Sequence, residues 1–193
     1  MAWPPRFLFT GGRLCVDFAL AGAEGRWPQW ERWNEPQDLA DWFGACSLAL
    51  KLERVRPAEL KAAKELRAVI WRTAHRVAGG AAPTAAEARA LEARAARPDL
   101  VPVWRRGRVA WSADATVSQA LSTVARDALT LFGTDAKQRL RVCRHPACPL
   151  LFVDNSRPGR RAWCAMRRCG NMAKTARYRR RKAATRSRPE ENS

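Results

Sequence analysis

The chain has 193 residues, enough to bury a hydrophobic core without help from disulfides. Its 36 Lys and Arg against 18 Asp and Glu give a formal charge of +18, which points to an acidic partner, nucleic acid before an anionic membrane surface. No apolar run approaches the roughly 18 residues of a membrane span, and the patches RFLFT and LCVDFALAG, interrupted by Arg6, Arg13 and Asp17, are too short for a signal-peptide core, so no membrane association and a cytoplasmic, reducing location are expected.

Leu14 to Phe18 reads as an opening strand or extended segment, followed by a loop with Trp27, Trp30 and Trp33. Those three rings fill a core or line a ligand pocket. Pro36 suits a first helical position, and LADWFGACSLAL continues at helical spacing. A long helix follows from Pro57, with Leu60, Ala63, Leu66, Ile70, Ala74 and Val77 on one stripe, and stops at Gly79 and Gly80. Thr84 and Glu87 have capping-box spacing and open a third helix that runs to about Arg97. VPVWRRGRVAW alternates Val and Trp about Arg-Arg-Gly, the pattern of a β-hairpin. Asp114 is a candidate cap for the next helix, where Val117, Leu121, Val124, Ala128 and Leu131 recur at three and four residues until Gly133.

The charge excess is local: residues 139–188 hold 16 of the basic residues and one acidic residue, Asp154. Such a run is commonly a solvated face or a disordered tail. Here it is interleaved with Phe152, Trp163, Tyr178 and four cysteines, which tails usually lack. Cys143, Cys148, Cys164 and Cys169 form two C-x4-C pairs separated by fifteen residues. In a reducing compartment, paired cysteines favour a metal over disulfides or four inert thiols, and four sulfurs suit a closed, structural Zn2+ site with no open coordination position. His145 could replace Cys143 or Cys148. The segment has too few large apolar side chains to close a core of its own, so metal binding would supply its folding free energy, ~10 to 16 kcal/mol in comparable peptides. Arg144, Arg167 and Arg168 flank the ligands and favour ionised sulfur, and Gly170 would permit a tight or left-handed turn after the last one. Cys15 and Cys46 are expected in the core.

Beyond Cys169, GNMAKTARYRRRKAATRSR is compatible with a helix. Lys174, Arg177 and Arg181 share one face, Arg180 flanks it, and Tyr178 points elsewhere, toward the zinc module. A basic helix leaving a metal knuckle suits the DNA major groove, with Arg160 and Arg161 serving phosphates and Arg167 and Arg168 also expected to bind nucleic acid.

The run from CRHPAC through LLFVDNSRPGRRAWCAMRRCGN resembles the CGNR-type zinc finger at the C-terminus of bacterial proteins whose N-terminal half is an ABATE domain, described as stress-induced transcription regulators. The motif Cys-Gly-Asn-Arg falls on Cys169, Gly170, Asn171 and Met172; the arginine is replaced, and its role is lost or passes to Arg168 or Lys174. GGRLCVDFAL and PQDLADWF are similar to the family's opening strand and following helix, with Ala19 and Leu20 where Asn-Thr is usual. The resemblance implies zinc on the four cysteines and DNA binding.

The expected fold class is therefore α+β and mainly α. A helical, ABATE-like domain with a small β element spans residues 1–135. A zinc-finger module of short β segment, zinc knuckles and basic helix spans 139–184, and a disordered tail spans 185–193. The expected function is zinc-dependent DNA binding and transcription regulation, with a small-molecule effector or partner on the helical domain. RNA or ribosome binding, with Tyr178 and Trp163 stacking on bases, is the alternative. An enzyme scores poorly: only His75 and His145 offer imidazole, and no phosphate loop, nucleophile elbow or histidine-glutamate metal pair is present. A pocket joining Asp17 to Glu or His side chains would revive it.

Overall fold

The computed structural model describes residues 6–22, 24 and 30–186. Trp27 and the tail from residue 187 onward, for which expectations are stated above, lie outside the described residues.

Leu14 to Phe18 is not a strand: it belongs to the first helix, α1 (Leu14–Ala19). The cause is non-local. Asp127, 112 residues downstream of Cys15, accepts the Cys15 N–H at 2.9 Å and also pairs with Arg13, so a distant carboxylate satisfies the helix start. Cys15, Val16, Phe18 and Ala19 are then buried. Helix α2 (Pro36–Ala45) begins at Pro36 as expected, and Asp38 accepts the N–H groups of Asn34 and Glu35. Its Trp42 meets Phe18 and Trp33 edge-on, with ring centroids 5.2 and 5.8 Å apart. Trp33 is therefore a core residue, fully buried.

Helix α3 (Pro57–Ala78) buries Leu60, Ala63, Leu66, Ile70 and Ala74 along the stripe read from the sequence. Helix α4 (Ala85–Ala95) has the reciprocal cap: Glu87 N–H donates to Thr84 Oγ1 at 3.1 Å, and Thr84 N–H to Glu87 Oε2 at 2.8 Å. Strands β1 (Pro102–Arg105) and β2 (Arg108–Trp111) form the hairpin, with Trp104 opposite Val109. Positive φ at both Arg106 and Gly107 fits the tight turn that a right-handed ribbon requires. Helix α5 (Val117–Gly133) is capped by Thr116, not Asp114. Thr116 and Gln119 bond reciprocally, whereas Asp114 accepts from the Ser112 hydroxyl and stays outside the helix.

After a 3-10 turn (Asp135–Arg139), β3 (Leu140–Val142) and β4 (Leu151–Val153) pair antiparallel, Leu140 opposite Val153. Leu140, Leu150, Leu151, Phe152 and Val153 are buried and belong to the same hydrophobic cluster as the helices. Helix α3 packs on β3, α1 on β4, and Val153 N–H donates to the Gly11 carbonyl at 2.7 Å. The cysteine-bearing segment is thus not coreless; it shares the core of the helical part. Helix α6 (Asn171–Arg186) ends the described chain.

Candidate metal centre

The loop between β3 and β4 carries Cys143 and Cys148. Cys143 N–H donates to the Leu150 carbonyl and Cys148 N–H to the His145 carbonyl, both at 2.9 Å, so backbone bonds fold this loop into a closed knuckle. Cys164 follows the next loop. Cys169 sits in a π-helical turn (Met166–Gly170), an uncommon wide turn that favours functional sites.

All four sulfurs are buried and lie within 4.8 Å of one another. Cys164 Sγ is 3.7 Å from both Cys148 Sγ and Cys169 Sγ. That is far too long for a disulfide, and all six cysteines are free thiols. It matches the edge of a tetrahedron with metal–sulfur bonds of 2.3 Å, about 3.8 Å. The clustered thiols also shift one another's ionisation. Hydrogen bonds from Cys164 and its neighbours hold the Cys148 thiol down to about 5. Cys164 is pushed up, chiefly by its bond to Cys148, and Cys169 is pushed up to about 12, chiefly by burial. The protein alone ionises one sulfur readily and resists ionising its neighbours. A divalent cation at the centre removes that conflict. The cluster is a structural zinc site: four cysteines close the shell and leave no position for a substrate.

Two charged residues brace this centre. Asp154 is fully buried and accepts from Ser156 N–H, the Ser156 hydroxyl and Arg161 N–H at 3.0, 2.6 and 2.8 Å. Those bonds, the Ser156 hydroxyl first, hold its carboxyl below the usual range. Sequence reasoning noted Asp154 only as the lone acid; the signal for its role was the local Asp-Asn-Ser run, which folds as a turn bonded by its own side chain. Arg161 donates to the carbonyls of Trp163 and Cys164, and its guanidinium stacks 4.4 Å over the Phe152 ring. Its Nε and Nη2 thus face inward and fix the loop that presents Cys164. Gly170 is also explained differently. It has no positive φ; a Cβ there would lie 2.6 Å from Met166 Sδ.

The other expected cations remain at the surface. Arg160, Arg167, Lys174, Arg177, Arg180 and Arg181 are exposed, and Arg168 is half-buried. Arg167 and Arg168 line an open groove along α6 together with Asn171, Met172, Thr175 and Arg179. Arg179 was not singled out from the sequence; its spacing of four from Thr175 and eight from Asn171 was the available signal. Met172, in the place of the motif arginine, lies in this groove and is partly exposed, with Arg168 and Arg179 beside it. Tyr178 does not fold back on the zinc module; it is 59% exposed.

Elsewhere, His145 Nδ1 accepts from Ala147 N–H, and the sulfur cluster does not include it. His75 is half-buried against Trp71, and burial lowers its pKa. Asp17 accepts the Gly11 N–H at 2.7 Å, and its carboxyl is pushed up to about 6 by burial. Ala19 and Leu20, at the usual Asn-Thr positions, are buried apolar residues. Among the described residues no helix is long and apolar enough to cross a membrane.

Residues 139–182 match the family model described as CGNR zinc finger. Residues 12–135 match the ABATE model, whose description is "Putative stress-induced transcription regulator". No curated protein matches the chain.

Proposed function

Because the chain belongs to the ABATE family and carries a CGNR zinc finger, we propose that it regulates transcription by binding duplex DNA through the basic surface of that finger. The observation that carries this reading is α6. From Asn171 to Lys182 every residue except Ala173 is exposed, so the helix has no apolar face to bury in the protein, and its start is tied to the zinc cluster through Cys169. A helix that is polar all round and strongly basic on one end of a molecule is suited to a polyanion. A helix fits the major groove of B-DNA, and Arg167 and Arg168, beside its start, with Arg160 from the loop after β4, would reach the phosphates. Arg161, half-buried with its Nε and Nη2 on backbone carbonyls, joins that contact set only through Nη1.

Fluorescence anisotropy with duplex DNA over a series of salt concentrations tests the reading. Replacing Arg177 and Arg181 with Ala is expected to weaken binding and to reduce the log-log salt slope by about 2, at 0.9 per phosphate contact, while zinc content is unchanged. Equal affinity of variant and parent at physiological salt would refute the helix assignment. Tighter binding of structured RNA than of duplex DNA at equal salt would select the RNA reading, for which the exposed Tyr178 provides a stacking surface.

A further inference from the structure

We infer that the arginine tip of the hairpin formed by β1 and β2 is a second contact for duplex DNA, separate from α6. The hairpin stands on a fixed base: Trp111 Nε1 donates to the Leu48 carbonyl at 2.7 Å, and Ser112 N–H to the Val101 carbonyl at 2.9 Å. Its outer half is bare. Trp104 and Val109, directly opposite each other, are 75% and 66% exposed, and Arg105, Arg106 and Arg108 beyond them are exposed as well. None of the three arginines has an ion pair or a side-chain hydrogen bond among the described residues, and no acidic residue lies between Asp99 and Asp114.

These cations occupy positions that local structure disfavours. Arg105 and Arg108 are register partners, and like charges directly opposite each other repel. Arg106 opens the turn at φ +47°, in the left-handed region where Asn, Asp or Gly is the usual choice. With no acid nearby to offset them, such local costs point to a surface completed by an anion from outside the chain. That anion must also offer something flat and partly apolar to Trp104 and Val109. Duplex DNA offers phosphates to the guanidinium forks and sugar edges to the apolar pair, and a two-stranded ribbon is narrow enough for the major groove. An anionic membrane fits less well: the arginines lie nearer the turn than Trp104 and Val109, so they would enter hydrocarbon ahead of the apolar pair. That the polyanion is DNA rests on the function proposed above; the unpaired charge of the tip does not.

The test is fluorescence anisotropy with the zinc-loaded full chain and a long duplex over a series of salt concentrations. Replacing Arg105, Arg106 and Arg108 with Gln is expected to lower the log-log salt slope by about 2 to 3, at 0.9 per phosphate contact, with thermal midpoint and zinc content unchanged. A control removes the same charge elsewhere: Lys61→Gln, Arg72→Gln and Arg89→Gln, all exposed on α3 and α4, should leave the slope as it is. Trp104→Ala should weaken binding about fivefold or more at an unchanged slope, because an apolar contact releases no counterions. If the triple hairpin variant unfolds, Arg106→Gln alone serves, with a slope change of about 1. A hairpin variant that binds like the parent, or a slope change no larger than the control's, overturns the contact. So does hairpin-dependent binding to vesicles of phosphatidylglycerol and phosphatidylcholine with DNA affinity unaffected, which would select the membrane. Such a failure is separate from a failure of the α6 reading, which the Arg177 and Arg181 variant reports; a parent chain that binds no DNA overturns both.

Discussion

Gly22 is a residue whose side chain is excluded by a buried charge. A Cβ there would lie 2.0 Å from Arg67 Nη1 and 2.1 Å from its Cζ. Arg67 is 2% exposed, bonded twice to Glu31 at 2.9 and 2.6 Å, and placed 4.7 Å over the Trp33 ring. Moving it would leave buried charge unpaired, so Gly22→Ala is expected to lower stability by about 3 kcal/mol or more in urea unfolding. A loss near zero would show that Arg67 can move without cost. Gly170→Ala should be mild, because only the flexible, exposed end of Met166 stands in the way. Asp17 makes a prediction in pH. Its folded pKa is raised to about 6, so between about pH 4 and pH 6 the folded state binds more protons than the unfolded state, and stability falls as pH rises through that window. Asp17→Asn removes this dependence, and its stability relative to the parent should rise by about 2 kcal/mol across the window and then level off. Parallel pH profiles for the two proteins would contradict it.

Among the α-helices, α6 differs from the others in burying almost nothing from Asn171 to Lys182. Ala176→Pro is therefore expected to break the helix and lower DNA affinity while the thermal midpoint and zinc content stay put, since Ala176 is exposed and no core rests on it. A fall in the midpoint of several degrees would mean that α6 has a structural partner. The contrast explains what could be read from the sequence. Helices α3, α4 and α5 were legible because their periods are local, as are the Thr84–Glu87 cap of α4 and the glycines that end α3 and α5. The zinc ligands were legible because each pair is closed by a knuckle of a few residues. Leu14 to Phe18 was misread because its helix start depends on Asp127, and Asp114 because Thr116 with Gln119 makes the better cap. The bracing role of Arg161 was hidden for the same kind of reason: sequence displays its charge but not the carbonyls and the Phe152 ring beside it.

At the scale of the whole molecule, β3 and β4 complete the core formed by α1 and α3, so the zinc module and the helices are expected to stand or fall together. Replacing Cys164 and Cys169 with Ser should release the metal and destabilise the entire described fold in one transition, followed by circular dichroism and by buried tryptophan fluorescence. Two well-separated transitions would show that the helical part survives alone. In the function proposed, a cation held by four sulfurs fixes where a basic helix leaves the protein, and that fixed helix is the surface offered to DNA. The most direct measurement is the DNA affinity of the intact chain before and after chelation to zero zinc, at one physiological salt concentration. The affinity is predicted to fall at least about tenfold on chelation and to return when zinc is restored. Equal affinity with and without the metal would contradict the account.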